Sequence, residues 1–170
     1  HGCLMANQAR DLSWLFLRLG DRLEHADMVS RFVDPRVTQM VPGQSAQWAS
    51  YEAIGWQNLL SALGGVELYR RSASNRLRGA DVLGFVLRDP NFPQSMVAAL
   101  LRIQKMLAQI PHRRVPDDLV QGIVDGLNAL DLQRLSPDLL TENMDWIQQG
   151  LAVLHARIDA EYFNVGSSER

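Results

Sequence analysis

One cysteine, Cys3, and one lysine, Lys105, are all that these two residue types contribute to a chain of 170 residues. A lone thiol excludes an internal disulfide and a metal site built from several thiolates. That usage suits a reducing compartment, and a cytoplasmic location is expected. No uninterrupted apolar run approaches the roughly 20 residues that cross a bilayer, and no charged-then-apolar leader opens the chain. An excess of charge is missing too. The formal net charge of −2 argues against a general nucleic-acid binder and gives an anionic membrane surface nothing to attract. Neither nucleic acid nor membrane is expected as a partner.

The usual signatures of chemistry are also absent. There is no Gly-rich phosphate loop, no His-Glu-x-x-His zinc motif, no Glu-x-x-His pair of the di-iron bundles and no Gly-x-Ser-x-Gly elbow. The four histidines, His1, His25, His112 and His155, are scattered along the chain. No catalytic residue, metal or cofactor is assigned from the sequence. Alternating strand patterns, low-complexity segments and short-period repeats are missing as well.

What is present is helical periodicity. Apolar residues make up 46% of the chain, enough for one domain with one core. Leu12, Leu15, Phe16, Leu19, Leu23, Ala26 and Phe32 or Val33 recur at steps of three and four. They predict a long amphipathic helix over about 6–33, which Pro35 ends. A loop with the turn signal Pro42-Gly43 precedes a helix over about 46–63, which Gly64-Gly65 breaks or bends. A short helix over 66–72 follows, then one over about 78–88. Asp89-Pro90-Asn91-Phe92-Pro93 reads as a rigid connector, with Pro93 in the first turn of a helix reaching about Ile110. Further helices are expected over about 116–132 and 137–163, the last opened by Ser136 as N-cap and Pro137. The fold class is therefore all-α, a bundle of about six to seven helices in a single domain spanning 1–170.

Several polar constellations are open to two readings. On the first helix Arg18, Asp21, Arg22, Glu24, His25, Asp27 and Arg31 fall into pairs at helical spacing. They form a solvated face with modest ion pairs, or part of a site. Glu24 shares a stripe with Leu17, Gly20 and Met28 at the flank of the apolar face, and Gly20 leaves space beside it. A partly buried carboxylate there is a paired structural group or a general acid or base. Trp14, Trp48, Trp56 and Trp146 line a pocket or belong to the core boundary. Arg70, Arg71, Arg76 and Arg78 receive an acidic partner or a phosphate, or simply suit a helix C-terminus. The 16 arginines among 17 basic residues reflect either bidentate recognition or the base composition of the gene.

Three segments together resemble the alpha-E family, a bacterial all-helical family named for a Glu-Arg motif. The first runs from Trp14 through Arg18-Leu19-Gly20-Asp21-Arg22-Leu23-Glu24-His25 to Arg31. The second is Trp56-Gln57-Asn58-Leu59-Leu60 with Glu67 to Arg71. The third is Phe85-Val86-Leu87-Arg88-Asp89-Pro90-Asn91-Phe92-Pro93-Gln94-Ser95-Met96, the most specific. The resemblance spans about 2–163 and is to the C-terminal half of the family's domain. It implies that a comparable helical half normally precedes this one, and that the surface facing the missing half is open to self-association.

In this resemblance Glu24 stands at the motif glutamate, His25 replaces the motif arginine, and Asp21 occupies a position that is otherwise basic. The resemblance implies partners of the ATP-grasp peptide ligase or transglutaminase-like classes, in a peptide-modification system. The expected role is a non-catalytic interaction or scaffold domain. The alternative is a ligand-binding or enzymatic subunit with a pocket around Glu24, His25, Arg22 and a tryptophan. The candidate ligand or partner residues are Arg18, Asp21, Arg22, Glu24, His25, Trp56, Arg70 and Arg71.

Overall fold

Periodic apolar residues, side-chain caps and glycine stops divide the chain into seven described helices. A computed structural model of the chain describes residues 11–34, 46–72, 77–111, 115, 117–134 and 136–163, with the backbone alone at 46–52, 117 and 137. The helices are α1 (Leu12–Val33), α2 (Ala46–Ala62), α3 (Val66–Ser72), α4 (Gly79–Arg88), α5 (Met96–Leu107), α6 (Asp117–Ala129) and α7 (Pro137–Tyr162). No strand occurs among the described residues. The all-α class expected from the periodicity is what the structure has.

The helix ends follow from local chemistry. α1 begins at Leu12, where the Asp11 carboxylate accepts from the Trp14 N–H at 2.9 Å and caps the first turn; the part of the expected helix over 6–10 lies outside the described residues. It ends at Asp34, whose ψ of 128° is the extended conformation that a following proline imposes. α2 closes with a Schellman motif. Gly65 N–H reaches Leu60 O at 2.7 Å and Gly64 N–H reaches Ser61 O at 3.0 Å. This places Gly64 at φ +64°, where a side chain is strained. The glycine pair therefore breaks the helix outright. Ser136 caps α7 through the Leu139 N–H at 3.2 Å, with Pro137 at the first turn as the sequence suggests. The Pro42-Gly43 turn, the Arg113-Arg114 loop and Pro116 lie outside the described residues.

One boundary differs in an informative way. α5 starts at Met96 and not at Pro93. Ser95 is the N-cap, its Oγ accepting from the Ala98 N–H at 3.1 Å. Pro93 belongs to the turns ahead of it. Proline tolerates a first helical turn, but a fully buried serine able to accept from the N3 amide defines this start more strongly.

Four helices close a ring. α1 packs on α5 and α7, and α6 packs on the same two. The α1–α7 pair is antiparallel, because Phe16 near the start of α1 meets the rings of Tyr162 and Phe163 at 5.3 and 5.0 Å. α6 and α7 also run oppositely, with Ile123 beside Gly150 and Gly126 beside Trp146. The ring is filled by Leu19, Ala26 and Val29 of α1, Leu100, Ile103 and Leu107 of α5, Leu127 of α6, and Met144, Ile147 and Leu154 of α7. Each large member contributes about 1.5–3 kcal/mol through burial. Leu12, expected in the α1 stripe, is instead 48% exposed, since it lies in the first turn. α4 leans on α5 and α6, and α2 and α3 form an outer layer on α4 and on each other.

Close packing at one glycine and open space at another give a direct check. A Cβ at Gly65 would lie 2.8 Å from Phe92 and 3.2 Å from Phe85, two buried stacked rings. A Cβ at Gly122, inside α6, would meet nothing within 4 Å. Gly65→Ala is therefore expected to destabilise the fold by about 1–3 kcal/mol. Gly122→Ala should stabilise it by about 0.5–1 kcal/mol. Urea midpoints measured on the two variants check both signs.

Candidate functional site

The polar residues of α1 are sorted by the 100° step of the helix into two flanks of its buried stripe. Arg18, Asp21, Arg22 and His25 share one flank. Gly20, Glu24, Asp27 and Arg31 share the other. Adjacent positions 24 and 25 thus serve different neighbours, and each flank is built differently.

The first flank faces the connector between α4 and α5. Arg22 is mostly buried and holds Asp21 through two contacts, Nε at 3.1 Å and an outer nitrogen at 2.6 Å. Arg18 reaches the same carboxylate at 3.6 Å, and its guanidinium lies 5.9 Å over the Trp14 ring. His25 is half-buried, with Nε2 3.1 Å from the Gln94 carbonyl oxygen. A carbonyl only accepts, so Nε2 carries the proton and donates. Burial pushes the His25 pKa below that of free histidine, and the nearby Arg22 guanidinium adds to the lowering. The Gln94 bond and Asp21 oppose it.

The connector that His25 meets is dense in backbone bonds. Asn91 N–H donates to the Asp89 carboxylate at 2.8 Å, and Ser95 Oγ donates to the Asp89 carbonyl at 2.6 Å. Arg102 donates to the Pro93 carbonyl at 2.8 Å. Just before the connector, Arg88 sends Nε to the Leu127 carbonyl at 2.7 Å and a second nitrogen to the Leu130 carbonyl. These belong to the C-terminal end of α6, whose last carbonyls have no helical partner. Burial lowers the Arg88 pKa, and Asp131 counters it.

The second flank borders an open groove between α1 and α7 of about 560 Å³. Glu24 lines it and is exposed, not partly buried. The helix turns it past the edge of the stripe, and nothing from α7 covers it. Gly20 does leave space, since a Cβ there would meet nothing within 4 Å. Asp27 and Arg31 form a bidentate pair at 2.8 and 3.2 Å along the same lip. From α7 come Gln148, Leu151, Ala152 and His155. Arg22 and His25 are not among the groove's lining residues. Among the described residues, Glu24 lies on the groove flank while Arg22 and His25 lie on the other.

The remaining candidates stand elsewhere. Trp56 is buried in α2, with its ring under Gly79 at the start of α4. Arg70 pairs with Glu67 at 3.1 Å, and Arg71 and Arg78 are exposed. This group belongs to the outer layer of α2, α3 and α4. Position 76 and the Trp48 side chain lie outside the described residues. Trp146 is 45% exposed and lies against Gly126. Trp14, Trp56 and Trp146 are boundary and core residues on three separate helices. Sequence reasoning passed over His155 and Arg88. A basic residue in the last turn of α4 was the only signal for Arg88, and none pointed to His155. No cluster of three or more His, Cys, Asp or Glu side chains suited to a metal ion occurs among the described residues.

The geometry defines a helical domain with a closed four-helix ring, a pinned connector and an open charged groove. A family model described as Alpha-E, "a predicted alpha-helical domain with a conserved ER motif", matches residues 1–163. The chain belongs to the Alpha-E family. Neither the curated proteins nor the solved structures yield a match to it.

The sign of the His25 shift gives a pH prediction. The unfolded chain binds the His25 proton more tightly than the folded one, so the folded state gains from a neutral ring. That contribution is complete above about pH 6.5 and declines as the pH falls below it toward the folded pKa. His25→Gln, which keeps an N–H for Gln94, should flatten stability against pH below about 6.5. Thermal midpoints of both proteins across that range check it.

Proposed function

We propose that this chain is a non-catalytic helical interaction domain. It works in the bacterial cytoplasm beside an ATP-grasp peptide ligase or a transglutaminase-like protein, within a peptide-modification system. One observation carries the reading. The two residues set against the family motif, Glu24 and His25, diverge: His25 donates to the Gln94 backbone, while Glu24 borders the open groove. Arg22, the nearest cation on the His25 flank, is held by Asp21. A motif divided in this way favours a recognition surface over a converging acid–base pair, whose members need hydrogen-bond reach of one reacting centre.

The outer face of α1 supports the same reading. Leu17 is 48% exposed and Met28 is 39% exposed, and both share the stripe of Glu24 on the helix, two turns before it and one turn after it. Apolar residues rimmed by charge are the composition of a partner-binding face.

Co-purification from cells expressing the tagged chain with the ligase and transglutaminase-like proteins of the same genome tests the proposal. One of the two should co-elute. The double substitution Leu17→Glu and Met28→Glu should reduce its recovery at least about tenfold, the size of a modest binding hot spot, with His25→Gln unaffected. Failure to recover either class, where a longer family member recovers one, overturns the proposal.

A further inference from the structure

The groove between α1 and α7 has a specific chemical character. Its apolar side is Leu23 with Leu151 and Ala152, and its α1 lip carries Glu24, Asp27 and Arg31. The Asp27 carboxylate is occupied by Arg31. Asp21, one turn before Glu24, is likewise held by Arg22 and Arg18. Glu24 alone of these three α1 carboxylates has no hydrogen bond or ion pair with the described residues. Two carboxylates against one guanidinium leave one negative charge in the groove, with His155 counted as neutral.

The space beside that charge is open. Gly20 sits one turn before Glu24 and offers no side chain to fill it. On the α7 side, Gln148 and His155 supply a carbonyl and an imidazole nitrogen as acceptors. An apolar wall ending at an unpaired carboxylate matches a side chain with an aliphatic stem and a cationic head. An acidic group would meet uncompensated repulsion there.

We propose that this groove receives a lysine or arginine side chain from a partner polypeptide, with the stem on Leu23, Leu151 and Ala152 and the head on Glu24. This deepens the interaction role above and rests on it: the partner presents a basic side chain to the α1–α7 edge.

An NMR titration of the isotope-labelled chain with a capped pentapeptide, Ala-Leu-Lys-Leu-Ala, tests the assignment without any partner protein. The lysine peptide should shift the amides of Gly20, Glu24, Ala152 and His155. Its glutamine counterpart should bind about two- to fivefold more weakly, the range of an exposed ion pair. Glu24→Gln should erase that preference, and added salt should shrink it. Glu24 is exposed, so this variant leaves the packed core untouched. Equal binding of the two peptides, a preference that survives Glu24→Gln, or shifts confined to other surfaces overturns the assignment. If the peptide fails while a ligase or transglutaminase-like protein still co-elutes, this inference falls alone. If the peptide binds with the expected preference and neither protein co-elutes, the groove assignment stands and the partner classes fall.

Discussion

Ser95 is the constraint on which the rest of the fold hangs. It is fully buried, and a buried hydroxyl must be satisfied on both its donor and acceptor sides. It accepts from Ala98 to start α5 and donates to Asp89 to close the connector. Seven residues, 89–95, then link α4 to α5, and two of their carbonyls are bonded by side chains from elsewhere in the chain. Pro93 is bonded by Arg102, and Gln94 by His25 from α1. Phe92 stacks on Phe85 at 4.4 Å and fills the space above Gly65. Arg88, one residue earlier, caps the end of α6. The α2–α3 turn, α1, α4, α5 and α6 are therefore held in register around one short segment.

This arrangement explains why a charged cluster that looks unified along α1 serves two purposes. The flank carrying Arg22 and His25 is drawn toward the connector and becomes part of the framework. Burial there favours a neutral imidazole, which still donates its single N–H. The opposite flank meets α7, where Leu151 and Ala152 sit low and leave a groove. Glu24 inherits the solvent-facing role. A single helical step thus separates a structural group from the group open to a ligand.

Much of the fold was legible because amphipathic spacing and stop signals are local. The Schellman end at Gly64-Gly65, the Ser136-Pro137 start and the extended Asp34 before Pro35 follow from residue chemistry alone. The errors arose where two local signals compete, or where tertiary placement decides. Pro93 and Ser95 both favour a helix start, and the second hydrogen bond of Ser95 resolves it. Glu24 lies at the edge of the α1 stripe, and its exposure depends on how closely α7 approaches. The role of His25 depends on Gln94, 69 residues away, a pairing no spacing rule reaches. His155 joins Glu24 only through the antiparallel packing of α1 and α7, so it was invisible in sequence. The family resemblance marked positions 24 and 25 as notable but carried no information on which way each one faces.

The central claim is that His25 belongs to the framework while Glu24 faces the groove. Direct NMR observation of the His25 ring tests it most closely. The account predicts the neutral form with the proton on Nε2, slow exchange of that proton, and titration below the about 6.5 of free histidine. A ring that titrates at or above that value with a freely exchanging proton would contradict it, because His25 would then face solvent and the motif pair would no longer be divided.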